Sequence, residues 1–253
     1  MTMAKPALTL AWLYPELMNI YGDRGNIIAL TERCRRRGIA LTVEEIATGG
    51  RLDPARCDLI FFGGGQDREQ LAVAADLGRG PGAAVSEAVE GGAALLAICG
   101  GYQLLAKYYQ PAAAPRLPGT GLFDAWTEAG LTRMIGNVTV ELSPVLLAAT
   151  GQAVATVAGF ENHSGKTRLG PGCAPLGRVL RGHGNNGEDG GEGAVYRHAI
   201  GCYLHGSLLP KNPHLCDLLL RWALARRHGD VVLAPLDDRL AWAAHRSALT
   251  RPA

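Results

Sequence analysis

The sequence predicts an α/β fold: a doubly wound, mostly parallel sheet with flanking helices and an antiparallel extension. Three observations predict it. Within the first hundred residues, short apolar runs at 8–13, 39–46, 58–62 and 94–98 alternate with segments of helical spacing, the pattern of parallel strands joined by crossover helices. Two of these runs end in glycine turns, Gly63-Gly64-Gly65 and Gly100-Gly101, at the carboxyl ends where such sheets place their sites. Beyond residue 120 the apolar runs become short, β-rich and separated by turn residues, so antiparallel pairing is expected there.

Taken in order, residues 8–13 read as the first strand. Tyr21-Gly22-Asp23-Arg24-Gly25-Asn26 follows as a turn, with Asp23 a helix cap. Ile27, Ile28, Leu30, Thr31 and Cys34 then form an apolar stripe, Glu32, Arg33, Arg35, Arg36 and Arg37 face water, and Gly38 ends the helix. The arginine run is a solvated helix end, favourable against the negative end of the dipole, rather than a functional basic patch. Residues 39–46 and 58–62 supply the next strands. A helical segment broken near 78–82 and a second one over 85–91 lead into the strand at 94–98. After a surface crossover at 110–118, short strands are expected at 122–127, 134–142, 153–160, 176–180 and 194–203.

Residues 182–193 hold six glycines together with Asn185, Asn186, Glu188 and Asp189. No helix pattern follows, so this reads as a flexible hairpin loop and not a phosphate cradle. Pro210-Lys211-Asn212-Pro213 opens the last strong helix. Its buried stripe is Leu215, Leu218, Leu219, Trp222 and Ala223, with Arg221, Arg226 and Arg227 outside. A short terminal helix is expected over 239–248. With no internal repeat and no linker, 1–253 reads as a single domain.

Composition narrows the function. The 253 residues are 47% hydrophobic, enough for one sizeable core, and the formal charge of +2 argues against nucleic-acid binding through a basic surface. The six cysteines are scattered without a Cys-x-x-Cys pair or zinc-like spacing, so no metal centre is expected and a reduced, cytoplasmic protein fits best. The apolar run at 7–13 is too short for a signal peptide and is cut off by Tyr14-Pro15-Glu16. No stretch approaches the roughly 20 apolar residues of a membrane span. Any membrane connection is expected to come through a partner or a lipid-linked substrate.

The chemistry centres on Ala94-Leu95-Leu96-Ala97-Ile98-Cys99-Gly100-Gly101-Tyr102-Gln103-Leu104-Leu105-Ala106-Lys107. A buried strand, a tight turn carrying Cys99 and a helix make an elbow that exposes a nucleophile above a parallel sheet. The helix N-terminus favours the thiolate, and the glycines let a substrate approach the backbone. The alternative is a small hydrophobe closing a buried strand. A thiol of ordinary pKa needs a base or a positive neighbour. His205 has the best context of the seven histidines: the apolar run Gly201-Cys202-Tyr203-Leu204 ends at it, and Gly206 follows. His163, in Gly159-Phe160-Glu161-Asn162-His163-Ser164-Gly165, suits a structural or substrate-facing turn. His183, His198, His214, His228 and His245 fall in loops or on helix surfaces. The glycine turn, through Gly64 and Gly65, offers backbone N–H groups to a developing oxyanion together with Gly100, or is simply a tight turn.

Ala97-Ile98-Cys99-Gly100-Gly101-Tyr102-Gln103, the Gly63-Gly64-Gly65 turn, the segment from Gly159 to Gly165 and Tyr203-Leu204-His205-Gly206 together resemble the cobyric-acid-synthase-type class I glutamine amidotransferases. Within them, Tyr14-Pro15-Glu16-Leu17-Met18-Asn19-Ile20-Tyr21-Gly22-Asp23-Arg24-Gly25-Asn26 resembles the glutaminase subunits of lipid II isoglutaminyl synthases, as does the lack of an attached ATP-dependent domain. The similarity spans about residues 8–228.

The resemblance implies that Cys99 attacks the side-chain amide of L-glutamine, that the turn amides hold the oxyanion, and that His205 protonates departing ammonia. A glutamyl thioester forms and is hydrolysed. Gln103 helps hold the glutamine, and Arg133 matches a family arginine near the glutamine pocket; the other reading of Arg133 is a surface charge at a strand start. No cofactor is implied for this chain. ATP and Mg are expected on a separate Mur-ligase-like (MurT-like) partner, which amidates the D-glutamate α-carboxylate of lipid II to D-isoglutamine.

One position departs from the wider class I pattern. Ser207 stands two residues after the histidine, where a glutamate is usual, and a hydroxyl cannot charge-balance an imidazolium. The expectation is that the partner subunit supplies the missing carboxylate. Other readings are a cobyrinate-type amidase, a cysteine hydrolase of the α/β-hydrolase kind, which Ala97 disfavours by standing where a glycine is usual, and a DJ-1-like cysteine protein without amidotransferase activity.

Overall fold

A computed structural model describes residues 5–229 and 232–251. Its central sheet is built from β1 (Ala7–Leu13), β2 (Ala40–Ile46), β3 (Leu59–Phe62), β4 (Ala94–Ile98), β11 (Ala194–Tyr196) and β12 (Ala199–Cys202), in the order β11-β12-β4-β3-β1-β2. All neighbours run parallel except the β11–β12 hairpin. The helices fall where the alternating pattern predicts them: α1 (Arg24–Arg36), α2 (Asp67–Leu77), α3 (Pro81–Glu90), α4 (Gly100–Leu105) and α6 (Pro213–His228). Strands β3 and β4, Leu-Ile-Phe-Phe and Ala-Leu-Leu-Ala-Ile, are buried at every residue. An unbroken apolar run of that kind is what a central strand covered on both faces requires.

The antiparallel β11 extends the first sheet at its edge, and the remaining strands form a second, mostly antiparallel sheet. It orders β10 (Gly191–Glu192), β9 (Gly177–Arg181), β7 (Ala125–Leu142), β5 (Tyr108–Gln110) and β6 (Leu117–Pro118), with β8 (Thr156–Leu169) also paired to β7. The runs expected at 122–127 and 134–142 fuse into one 18-residue strand. The register of β7 on β8 shifts between Ala129 and Met134, and this break is what the sequence pattern reads as an interruption. The segment from Gly159 to Gly165, expected as a turn, lies within β8. Helix α5 (Pro144–Thr150) joins the two long strands, and α7 (Arg239–Thr250) closes the described chain.

Two further expectations are corrected. The loop at 182–193 is pinned, not flexible: the Glu161 carboxylate accepts the N–H groups of His183 and Gly184 at 2.7 and 2.9 Å, and the buried Asn185 and Asn186 donate to Gly193 and Thr167 carbonyls. Nor is the arginine run of α1 wholly solvated. Arg33 reaches Asp217 and Asp238 at 2.6 and 2.7 Å, and Arg37 reaches Asp217 at 2.8 Å, tying α1 to α6 and the start of α7. Burial of the two guanidiniums is compensated by these paired carboxylates.

Two isolated bridges are seen among the described residues, Ala174 with Val195 of β11 and Phe160 of β8 with His205. His205 donates its N–H to the Phe160 carbonyl at 2.8 Å and accepts from Phe160 N–H at 3.2 Å, fastening the segment after β12 to β8. Among the described residues no helix is long and apolar enough to cross a membrane.

Candidate active site

Cys99 sits between β4 and α4 with φ 48° and ψ −104°, a left-handed conformation that costs a residue with a Cβ on the order of 1–3 kcal/mol. The surroundings enforce it. Cys99 N–H donates to the Cys202 carbonyl at 2.8 Å, and Gly101 N–H to the Gly63 carbonyl at 3.1 Å. A Cβ on Gly101 would lie 2.6 Å from the Phe62 carbonyl oxygen, and one on Gly100 would lie 3.0 Å from Gly65 N, so the two glycine turns interlock only as glycines. Of the five non-glycine residues with positive φ among the described residues, Tyr14, Tyr21, Cys99 and Ser207 all belong to segments at this edge of the sheet. Strain so concentrated marks the edge as functional.

His205 is completely buried beside it. Its Nδ1 stands 3.3 Å from Oδ1 of Asp23, which is equally buried. The second Asp23 oxygen accepts the Gly64 N–H at 2.8 Å. Burial opposes an imidazolium here, but the negative charge of Cys99, then the Asp23 carboxylate, outweighs it and raises the His205 pKa. His205 Nε2 has no formed hydrogen bond among the described residues, while the ring lies within electrostatic reach of Cys99. One nitrogen is therefore oriented by a carboxylate and the other is available for proton transfer.

A carboxylate of this chain thus already meets His205 Nδ1, without one from a partner. Asp23, read from sequence as a helix cap, stands at the cap position of α1, but its side chain makes no capping bond. Ser207 does not replace the acid but steadies the loop that carries it, donating from Oγ to the Gly22 carbonyl at 2.5 Å. Gly64 also leaves the oxyanion set, since its N–H is taken by Asp23. Its need for glycine is steric: a Cβ there would lie 2.7 Å from His205 Cε1. Gly65 and Gly100 remain as the neighbouring amides.

A cavity of about 420 Å³ opens beside Cys99, within the size range of small-molecule sites, and its walls include Gly65, Gln103, Arg133 and His163. Gln103 is buried and held on both ends, its Nε2 donating to Tyr203 Oη at 3.0 Å and its Oε1 accepting from Gln70 Nε2 at 3.1 Å. Arg133 is exposed at the cavity edge within the irregular stretch of β7, where Nε donates to Asn162 Oδ1 at 2.5 Å and Nη2 to Tyr21 Oη at 3.4 Å. His163 bonds the Gly165 carbonyl through Nδ1 at 2.8 Å and stacks on Tyr203, with ring centroids 3.5 Å apart. Burial lowers its pKa to about 3, so it is neutral and unsuited to replace His205 as the base. Sequence reasoning missed Asp23, Gln70, Asn162 and Tyr21. The available signal was position: Asp23 and Tyr21 follow the first strand at the sheet edge where the Gly63 turn and Cys99 also lie.

Residues 9–213 match the family model of the CobB/CobQ-like glutamine amidotransferase domain. The chain belongs to that family. Within the CobB/CobQ-like family, it is 39% identical over 220 residues to the lipid II isoglutaminyl synthase (glutamine-hydrolyzing) subunit GatD of Staphylococcus aureus, covering 87% of this chain and 86% of that protein. It is 37% identical over 235 residues to the subunit of the same name from Streptococcus pneumoniae, covering 92% and 87%. The cobyric acid synthase of Pelotomaculum thermopropionicum shares 37% identity over 161 residues, 59% of this chain and 29% of that one. Among solved structures, PurLQS from Thermotoga maritima superposes with a TM-score of 0.55 at 16% identity over 97% of this chain and all of the other, a likeness of fold alone. The chain is thus an enzyme of the glutamine amidotransferase class, and the hydrolase and DJ-1-like readings are set aside.

Proposed function

We propose that this CobB/CobQ-like chain is the glutaminase subunit of a lipid II isoglutaminyl synthase. The observation that carries the chemistry is the strained Cys99 elbow set against a buried His205–Asp23 pair. The Cys99 thiolate attacks the side-chain carbonyl carbon of L-glutamine, and the amides of Gly65 and Gly100 hold the resulting oxyanion. His205, protonated and oriented by Asp23, gives its proton to the departing nitrogen, so that ammonia leaves and a glutamyl thioester remains. His205 then takes a proton from water as the water attacks the thioester, releasing glutamate and restoring the thiolate. Arg133, exposed at the cavity edge, pairs with the α-carboxylate of glutamine, and Gln103 shapes the wall beside it.

The released ammonia passes to a Mur-ligase-like subunit that holds ATP and Mg and amidates the D-glutamate α-carboxylate of lipid II. Similarity to the two GatD subunits over 87% and 92% of this chain, and 86% and 87% of theirs, supports that acceptor over a cobyrinate one, since the cobyric acid synthase of Pelotomaculum thermopropionicum matches over 59% of this chain and 29% of its own. Two measurements test the reading: ammonia and glutamate release from L-glutamine by this chain with its ligase subunit, and amide transfer to lipid II by the pair. Release without transfer to lipid II would overturn the acceptor; no release would overturn the glutaminase.

A further inference from the structure

The hydroxyl of Tyr21 accepts from Arg133 Nη2 at 3.4 Å, and its ring meets the His205 ring edge-on, with centroids 5.1 Å apart and planes at 70°. Tyr21 also lines the cavity beside Cys99 and is 44% exposed, whereas His205 behind it is wholly buried. Its φ of 51° is unusual for a bulky side chain, and such a conformation persists only where the surroundings over-determine it. Asp23 follows two residues later, so a shift of this turn moves the acid as well.

We propose that Tyr21 is a positioning residue that links Arg133 to His205: its hydroxyl steadies the guanidinium for the amino-acid end of the substrate, and its ring braces the imidazole. This rests on the reading of the site as a glutaminase. Binding at one end and proton transfer at the other then pass through separate parts of one side chain. Removing the hydroxyl weakens binding; removing the ring impairs chemistry.

Inactivation of the full chain by 6-diazo-5-oxo-L-norleucine, a glutamine analogue that alkylates the nucleophile, separates the two through its binding constant and its maximal rate. Tyr21→Phe is expected to weaken binding about three- to tenfold while the maximal rate stays within about twofold. Tyr21→Ala is expected to lower the maximal rate at least about tenfold, with a thermal midpoint near that of Tyr21→Phe. If wild type alkylates at Cys99, with protection by glutamine, and both variants match it in both constants, the role of Tyr21 is overturned while the glutaminase reading stands. If wild type itself takes no label, both fall together. Should Tyr21→Ala not fold, the split between binding and rate in Tyr21→Phe decides alone.

Discussion

The two walls of the cavity are built on opposite plans. On one, Cys99 lines the cavity and the wholly buried His205 stands behind it, both at the ends of adjacent parallel strands, and at 64, 100 and 101 any side chain beyond glycine would collide with neighbouring atoms. On the other, Arg133 projects from a register break in a long antiparallel strand, exposed and steadied by Asn162 and Tyr21. On the proposed function, the groups that break the bond are over-determined, while the group suited to the substrate's charge sits at a register break in its strand. Catalysis tolerates little displacement, whereas an arginine can reach its ligand from a less regular strand.

Substitutions on the first wall are expected to act on turnover. Cys99→Ala should lower glutamine hydrolysis by about 10⁴-fold or more, with no rise in KM needed to explain it. Asp23→Asn keeps the shape but not the charge, and should cost about 10²- to 10⁴-fold in kcat. Near-normal kcat in that variant would restore the idea of an acid from the partner. On the second wall, Arg133→Ala should raise KM about 10- to 100-fold with a smaller change in kcat. A kcat loss equal to that of Asp23→Asn would erase the distinction between the walls.

The walls should also titrate in opposite senses. The His205 pKa is raised in the folded chain, so its contribution to stability is present below the ordinary histidine value and is lost as pH rises through the folded one. Asp23→Asn should flatten that alkaline loss. His163 is lowered to about 3 by burial, so the unfolded chain takes up its proton first, and stability falls as pH drops below about 6.5. His163→Gln should remove part of the acid loss, on the order of 1–2 kcal/mol at pH 5. Urea midpoints from pH 5 to pH 10 measure both slopes.

Much of the first wall was legible in the chain itself. Alternating apolar runs and helical stripes gave β1 to β4 with their helices, and Cys99 and His205 could be chosen because each follows an apolar strand and precedes glycine. The second sheet was less legible. Gly130 and Gly136 inside β7 resemble turn residues, and only pairing with β8 shows that the strand runs through them. Asp23 was hidden for another reason: an aspartate just before a helix has an ordinary capping role, and its true partners lie 41 and 182 residues away. Local pattern cannot see contacts at that separation, although the order of parallel strands narrows which turns share an edge.

The two oxygens of Asp23 have separate employments, one at the imidazole and one at the Gly64 amide. A carboxylate gripped at both ends cannot swivel, so the imidazole and the glycine turn move as gears on one shaft. Moving the acid to position 207 would strand the buried Gly64 amide, so the carboxylate and the glycine turn can be exchanged only together.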